Sequence, residues 1–277
     1  MGSSEENKKT LGVSYVNDIH LDFHCEFVKN QIKYEKRLRE FANKLVQTSK
    51  ELGEVLIISG DFGHSNIASN IFLDEISKYF TKVFITYGNH DLYLISKTQK
   101  NKYRNSANRV KELYDKTKDL GNVHFLGEDF DGVGNYKGFN FGGDILMSTP
   151  KSEEEKSFYN LVMNDSKYIY LGGYGHENTQ ELNRKGLEYY ESLKGKVDVF
   201  ISHYPIITTD SHLNHGSESL GSYRTDVEEL YFKSNFFGHV HEISEYGILG
   251  SNFYTHALGY PSEGMDLKLG YVEINKY

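Results

Sequence analysis

Lys82-Val83-Phe84-Ile85-Thr86-Tyr87-Gly88-Asn89-His90-Asp91 is the stretch on which the fold turns. Its first five residues form a β-prone apolar run. A glycine then lets the chain bend sharply, and three side chains able to hold a metal or a proton follow at once. Such a run predicts a strand with chemistry at its carboxyl end. Three more stretches repeat the plan: residues 11–16 lead to Asp18-Ile19-His20, residues 54–59 to Gly60-Asp61, and residues 197–202 to His203. Helix-period segments separate them at 31–52, 67–80, 106–120 and 176–193, with Ile32, Leu38, Phe41, Leu45 and Leu52 on one face of the first. Strand, helix, strand in alternation predicts crossover units around a central sheet. Open sheets of this kind place their sites in the crevice outside the strand carboxyl ends. The last third adds strands near 235–237, 244–249, 253–256 and 270–274, expected to form a second, more antiparallel sheet.

Five islands carry the chemistry: Val16-Asn17-Asp18-Ile19-His20, Ser59-Gly60-Asp61, Tyr87-Gly88-Asn89-His90-Asp91, Ile201-Ser202-His203-Tyr204-Pro205 and Phe237-Gly238-His239-Val240-His241. A carboxylate beside an imidazole suits manganese, zinc, iron, cobalt or nickel better than calcium. Asp61, at a glycine turn, is of the type that bridges two metals about 3.5 to 4 Å apart. Asn89 offers an unusual neutral oxygen ligand, and its neighbour His90 can face a substrate instead of the metal. Singly, Asp-x-His or Gly-Asp recurs by chance in many chains, and a lone histidine is more often a satisfied structural side chain. Five such islands in this order make coincidence a poor explanation.

Composition narrows the class. The chain has 277 residues, 38% of them hydrophobic, with 22 Tyr, 17 Phe and no Trp. The islands run from 18 to 241 with no Pro-rich or Gly/Ser-rich linker between them. We therefore expect a polar, flexible tail over 1–10 and a single domain over 11–277. No apolar run approaches the roughly 20 residues that cross a bilayer, and no charged-then-apolar leader opens the sequence, so no membrane partner is expected. The lone cysteine, Cys25, cannot form an internal disulfide and fits a reducing compartment, which makes the cytoplasm the expected location. Net charge is −8. That balance disfavours duplex nucleic acid as a partner but not small anions, because bound divalent cations invert the local charge of an acidic site. The basic runs at 33–39 and 97–118 are interleaved with acids and are expected to be solvated helix faces.

The order and content of the islands resemble the calcineurin-like metallophosphoesterase superfamily, over roughly residues 12–275. The resemblance implies a four-layer α/β/β/α sandwich of two mixed sheets flanked by helices, with a dimetal site at the C-terminal strand ends. It implies a first metal held by Asp18, His20, Asp61 and His241, and a second held by Asp61, Asn89, His203 and His239. Manganese is the expected pair, with iron, zinc, cobalt or nickel as alternatives. The implied reaction is hydrolysis of a small phosphodiester or phosphomonoester, a nucleotide among the candidates. A metal-bridging hydroxide would attack phosphorus in line, and His90 would act as general acid toward the leaving oxygen. A nuclease of the same superfamily is the enzymatic alternative, and a non-catalytic scaffold on the same fold is the other. Oligomeric state is not read from the sequence.

Departures from the common pattern touch no ligand: Asn17 stands where Ser is usual, and Val240 where Thr is usual. After Asp61 comes Phe62-Gly63-His64, without the Asp-Arg pair of the serine/threonine phosphatase branch. A protein phosphatase is disfavoured, and no carboxylate that would orient His90 can be named. The segments 141–146 and 163–165 resemble a bacterial and phage subgroup of small metallophosphoesterases. That likeness makes Asp144 and Asn164 candidate pocket residues, although a glycine bend and a simple turn would explain both. His64, His212 and Arg224 complete the candidate substrate contacts, each against a plainer reading as a supporting or surface side chain. Asp210 and His215 lie in the same polar segment as His212. Tyr87, Tyr93, Tyr204 and Tyr260 flank the islands, where packing competes with substrate stacking as their role.

Overall fold

The computed structural model describes residues 9–173, 175–210 and 220–276. Strand β1 (Lys9–Val16) begins two residues before the expected boundary and is followed by α1 (Leu21–His24) and α2 (Gln31–Thr48). Then come β2 (Val55–Ser59), α3 (Asn66–Ile76), β3 (Lys82–Thr86), α4 (Asn89–Leu92), α5 (Lys97–Tyr103), α6 (Ser106–Thr117) and β4 (Val123–Phe125). The second half holds β5 (Gly134–Tyr136), β6 (Phe139–Asp144), α7 (Glu153–Val162), α8 (Asp165–Tyr168), α9 (Glu177–Ser192), β7 (Val199–Ser202), β8 (Ser234–Phe236), β9 (Ile243–Ile248), β10 (Ser251–His256) and β11 (Gly270–Lys276).

Two mixed sheets result, in the orders β11-β1-β2-β3-β4 and β5-β6-β7-β8-β10-β9. In the first, β1 to β4 run parallel and β11 closes the edge antiparallel to β1, with Lys9 opposite Lys276. The expectation for the last third therefore needs correction. Strand β11 belongs to the first sheet, and β10 lies parallel to β8, so the second sheet is mixed instead of mainly antiparallel.

Period-two alternation builds the layers. Val55 and Ile57 of β2 turn toward Phe141 of β6 and Val199 and Ile201 of β7, forming the core between the sheets. Leu56 and Ile58 turn the other way, onto Leu38, Leu45, Phe72 and Leu113 of α2, α3 and α6. Beyond the second sheet, Tyr189 and Tyr190 of α9 pack on Phe200 and Phe253. This is the four-layer α/β/β/α sandwich, and burial on both faces explains why β2 reads as an unbroken apolar run. Helix α2 uses Leu38, Phe41 and Leu45 as expected, but Ile32 is 82% exposed and Leu52 lies past the helix end. The helix starts at Asn30, whose side chain caps the Lys33 amide, so Ile32 falls in its exposed first turn. No described helix is long and apolar enough to cross a membrane.

Candidate metal centre

Asp18 and His20 follow β1, Asp61 follows β2, Asn89 and His90 open α4 just after β3, His203 follows β7, and His239 and His241 follow β8. Both sheets thus deliver side chains from strand carboxyl ends to one crevice. Nine described non-glycine residues have positive φ, and five of them are Asp18, His20, Asp61, His239 and His241. Left-handed backbone costs on the order of 1 kcal/mol or more for such residues and persists only where the surroundings over-determine it. Its concentration here marks the crevice as the place where the chain is held against its own preference. Gly88 serves the same end, since a Cβ there would meet Asp61 Oδ1 at 2.1 Å.

The candidate ligand atoms converge. His20 Nε2 lies 3.0 Å from His241 Nε2, and His203 Nε2 lies 2.9 Å from Asn89 Oδ1. Two ligands about 2.1 Å from one ion and at right angles lie about 3.0 Å apart, so both spacings fit a shared cation. The two oxygens of Asp61 face different rings, Oδ2 at 3.9 Å from His20 and Oδ1 at 3.5 Å from His203. Asp18, His20 and His241 form one tight group of ligand atoms, and Asp18, Asp61 and His203 another. His239 stands at the edge, its ring 5.2 Å from that of His203.

Rear contacts fix the tautomers. His203 Nδ1–H donates to the Ser59 carbonyl at 2.9 Å, His241 Nδ1–H to Glu263 at 2.9 Å, and His239 Nε2–H to the Ser222 carbonyl at 3.2 Å. The opposite nitrogen of each ring is left as a lone pair, as metal ligation requires. Burial, and then the neighbouring imidazoles, push His20 well below the usual histidine range, so it is a neutral donor. Burial, then Asp18 and Asp91, push Asp61 well above the usual carboxylate range. Buried carboxylates crowded among neutral nitrogens form an environment that a divalent cation relieves. The residues therefore fit such ions.

The sequence matches the model of the calcineurin-like phosphoesterases over residues 13–242. The chain belongs to that family. No curated protein matches the sequence. Among solved structures, a phosphopantetheinyl hydrolase from Mycobacterium tuberculosis shares the fold, with TM-score 0.64, 17% identity, and coverage of 91% of this chain and 90% of that one. This calcineurin-like phosphoesterase is accordingly a metal-dependent hydrolase of phosphoester bonds.

Around the cluster the phosphoesterase builds supports that sequence reasoning missed. Asp165, fully buried, accepts from Asn89 Nδ2 at 2.7 Å, Tyr93 OH at 2.5 Å and Tyr204 OH at 3.0 Å. Asn89 Nδ2 also donates to Tyr93 OH at 3.1 Å, so with both donors engaged the Asn89 amide must turn its oxygen toward His203. Asp91 takes the amides of Asp61 and Gly88 at 2.9 Å each, tying the β2 and β3 turns together. Arg109, also fully buried, donates to the carbonyls of His90, Tyr93 and Gly63 at 2.6, 3.1 and 2.6 Å. Asp91 and Asp165 lie in stretches already singled out, but their partners, like those of Arg109, are distant along the chain or are backbone atoms, so the sequence does not announce these bonds.

His90 has a carboxylate behind it after all, one imidazole removed. His64 Nε2 lies 3.1 Å from His90 Nδ1, and His64 Nδ1 lies 2.6 Å from Asp22 Oδ2. Burial raises Asp22, but the hydrogen bond from His64 outweighs it and holds the carboxylate below its usual value. His64 is thus a link behind His90 and not among the residues lining the metal-site pocket. That pocket, about 480 Å³, is lined by Asn164 together with Val162, Met163, Tyr223, Tyr260 and Glu263. Asp144 lies elsewhere, in a cavity with Tyr87, Glu128, Asp129 and Tyr189. Arg224 pairs with Asp226 at 2.6 Å and lines a third cavity, which makes it the plainer surface pair. His212 and His215 fall outside the described residues. Of the tyrosines, Tyr93 and Tyr204 hold Asp165, Tyr87 packs in the core, and Tyr260 stacks on His20 at 4.7 Å.

Proposed function

We propose that this protein hydrolyses small phosphodiesters or phosphomonoesters with two divalent cations, manganese foremost. In this proposal one cation takes Asp18, His20, Asp61 and His241, the other takes Asp61, Asn89, His203 and His239, and Asp61 bridges. The observation that carries it is the contact of donor atoms at 3.0 Å and 2.9 Å, with the His203 and His241 rings held from behind, beside an Asp61 whose two oxygens face different rings. Cations bound there supply an acidified water and charge neutralisation at the phosphoryl oxygens.

The chain's own part is the proton. With Asp22 accepting from His64 Nδ1–H and His64 Nε2 accepting from His90 Nδ1–H, the neutral His90 ring has a bare Nε2 toward the crevice and becomes an acid only on taking up a second proton there. Burial, with the surrounding imidazoles, keeps His90 neutral before substrate arrives. A phosphate anion in the crevice favours the imidazolium, so His90 gains its proton as substrate binds and gives it to the leaving oxygen.

The test is metal depletion and add-back. Elemental analysis should find two manganese ions per chain, and hydrolysis of bis(4-nitrophenyl) phosphate or 4-nitrophenyl phosphate should return with them. A fully loaded protein that turns over neither ester would overturn the proposal.

A further inference from the structure

The walls of the metal-site pocket carry information that the ligand set does not. Its floor is Asn89, His90, His239 and His241, and one side is Val162, Met163 and Asn164 at the end of α7. Val162 is 55% exposed although apolar. Two tyrosines mark the two halves of the site. The Tyr223 ring lies 5.5 Å from that of His239, and the Tyr260 ring 4.9 Å from that of His241. Among the described lining residues the one carboxylate is Glu263, which is held by His241 Nδ1 and the Tyr260 amide and adds negative charge to the wall. Among the described residues no lysine or arginine lines this pocket.

Building on the dimetal hydrolase proposed above, we infer that the substrate carries a single phosphate and that its organic arm is uncharged and bears a flat ring. The ring lies against Tyr223 and the Val162–Met163 wall. The reason is electrostatic as well as steric. One phosphate can be neutralised at the floor, but a second would sit in a partly desolvated pocket with a carboxylate and, among the described residues, no lysine or arginine to pair with it. Exposed apolar and aromatic side chains at the mouth gain by covering a ring of comparable size, and stacking on tyrosine is tolerant of which ring it is. A nucleobase and a simple aryl group share this chemistry. Dinucleotide polyphosphates and nucleic-acid strands do not.

Two measurements on the full-length, manganese-loaded protein test the inference. In the first, three 4-nitrophenyl esters share one scissile bond and differ in the other arm: phenyl phosphate, methyl phosphate and methyl diphosphate. We expect kcat/KM for the phenyl arm to exceed both others at least tenfold, and Tyr223→Ala to reduce the phenyl-to-methyl ratio at least fivefold. Val162→Lys should raise the diphosphate relative to the phenyl ester. The second measurement is equilibrium binding of phenyl phosphate, adenosine 3′,5′-cyclic phosphate and methyl phosphate, which needs no turnover. At least one ring-bearing ligand should bind tenfold more tightly than methyl phosphate, and the tighter of the two identifies the kind of ring. Retained binding preference without hydrolysis would sink the hydrolase proposal and support this one. Equal affinity for ring and methyl ligands, or preference for the diphosphate, would overturn it.

Discussion

Two pockets of this phosphoesterase bury carboxylates, and only one of them is equipped for chemistry. Around Asp61 the carboxylates meet imidazoles whose lone pairs are aimed by contacts behind them. Around Asp144 the company includes Glu128, Asp129 and Tyr189, and its carboxylate accepts from the Leu146 amide at 2.9 Å. Burial pushes both groups up, Asp144 to about 6. A desolvated carboxylate is therefore no mark of a site by itself. What separates the pockets is the supply of neutral nitrogen donors with fixed tautomers.

The comparison can be broken most decisively at Asp61. Asp61→Asn should lower hydrolysis of 4-nitrophenyl esters to the detection limit and reduce bound manganese below two per chain, whereas Asp144→Asn should leave both unchanged. Next in size is His90→Asn, expected to cost about 10²- to 10⁴-fold in kcat with ordinary metal content. The loss should be greater for an alkyl leaving group than for 4-nitrophenolate, which needs less help from an acid; equal losses would deny His90 that role. Asp22→Asn should cost on the order of tenfold in kcat, through His64, with KM little changed.

Metal itself gives a smaller, thermodynamic test. Manganese at about 100 times its dissociation constant should stabilise the wild type by about 2.7 kcal/mol for each site filled, read as a rise in Tm, and Asp61→Asn should lose most of that rise. Asp144 predicts the opposite kind of effect. Its folded value, about 6, lies above the ordinary 3.8, so the folded state binds the extra proton between these values and stability falls as pH rises through them. Asp144→Asn should therefore gain up to about 3 kcal/mol over the wild type by pH 7 and almost nothing at pH 3.5. Tm measured across that range would show it, and a pH-independent difference would refute it.

Much of this was legible in the sequence for a physical reason. Residues 82–86 and 54–59 are local apolar runs, and their ligands follow within a few positions, so strand and chemistry are written side by side. Asp165, Arg109 and Glu263 act across 76, 46 and 22 positions on Asn89, Gly63 and His241. A linear pattern does not register such partners. Asp22 was hidden differently: it sits beside a recognised motif but acts through His64, which the sequence offers as a substrate contact or a supporting side chain without naming its partner. The sheet to which β11 belongs was equally silent, because an edge strand of alternating pattern fits either sheet. Ile32 misled because an apolar residue in the first turn of a helix can stay exposed even where its spacing matches the buried face.

Arg109 gives the architecture a dynamic consequence. One guanidinium gathers the turn after β2, through Gly63, and the α4 segment, through His90 and Tyr93, while Asp91 clamps the amides of Asp61 and Gly88. Loops so joined cannot open one at a time. Their amides should exchange with solvent deuterium as a single cooperative unit, at a rate set by the rupture of that shared knot and not by the fraying of either turn alone.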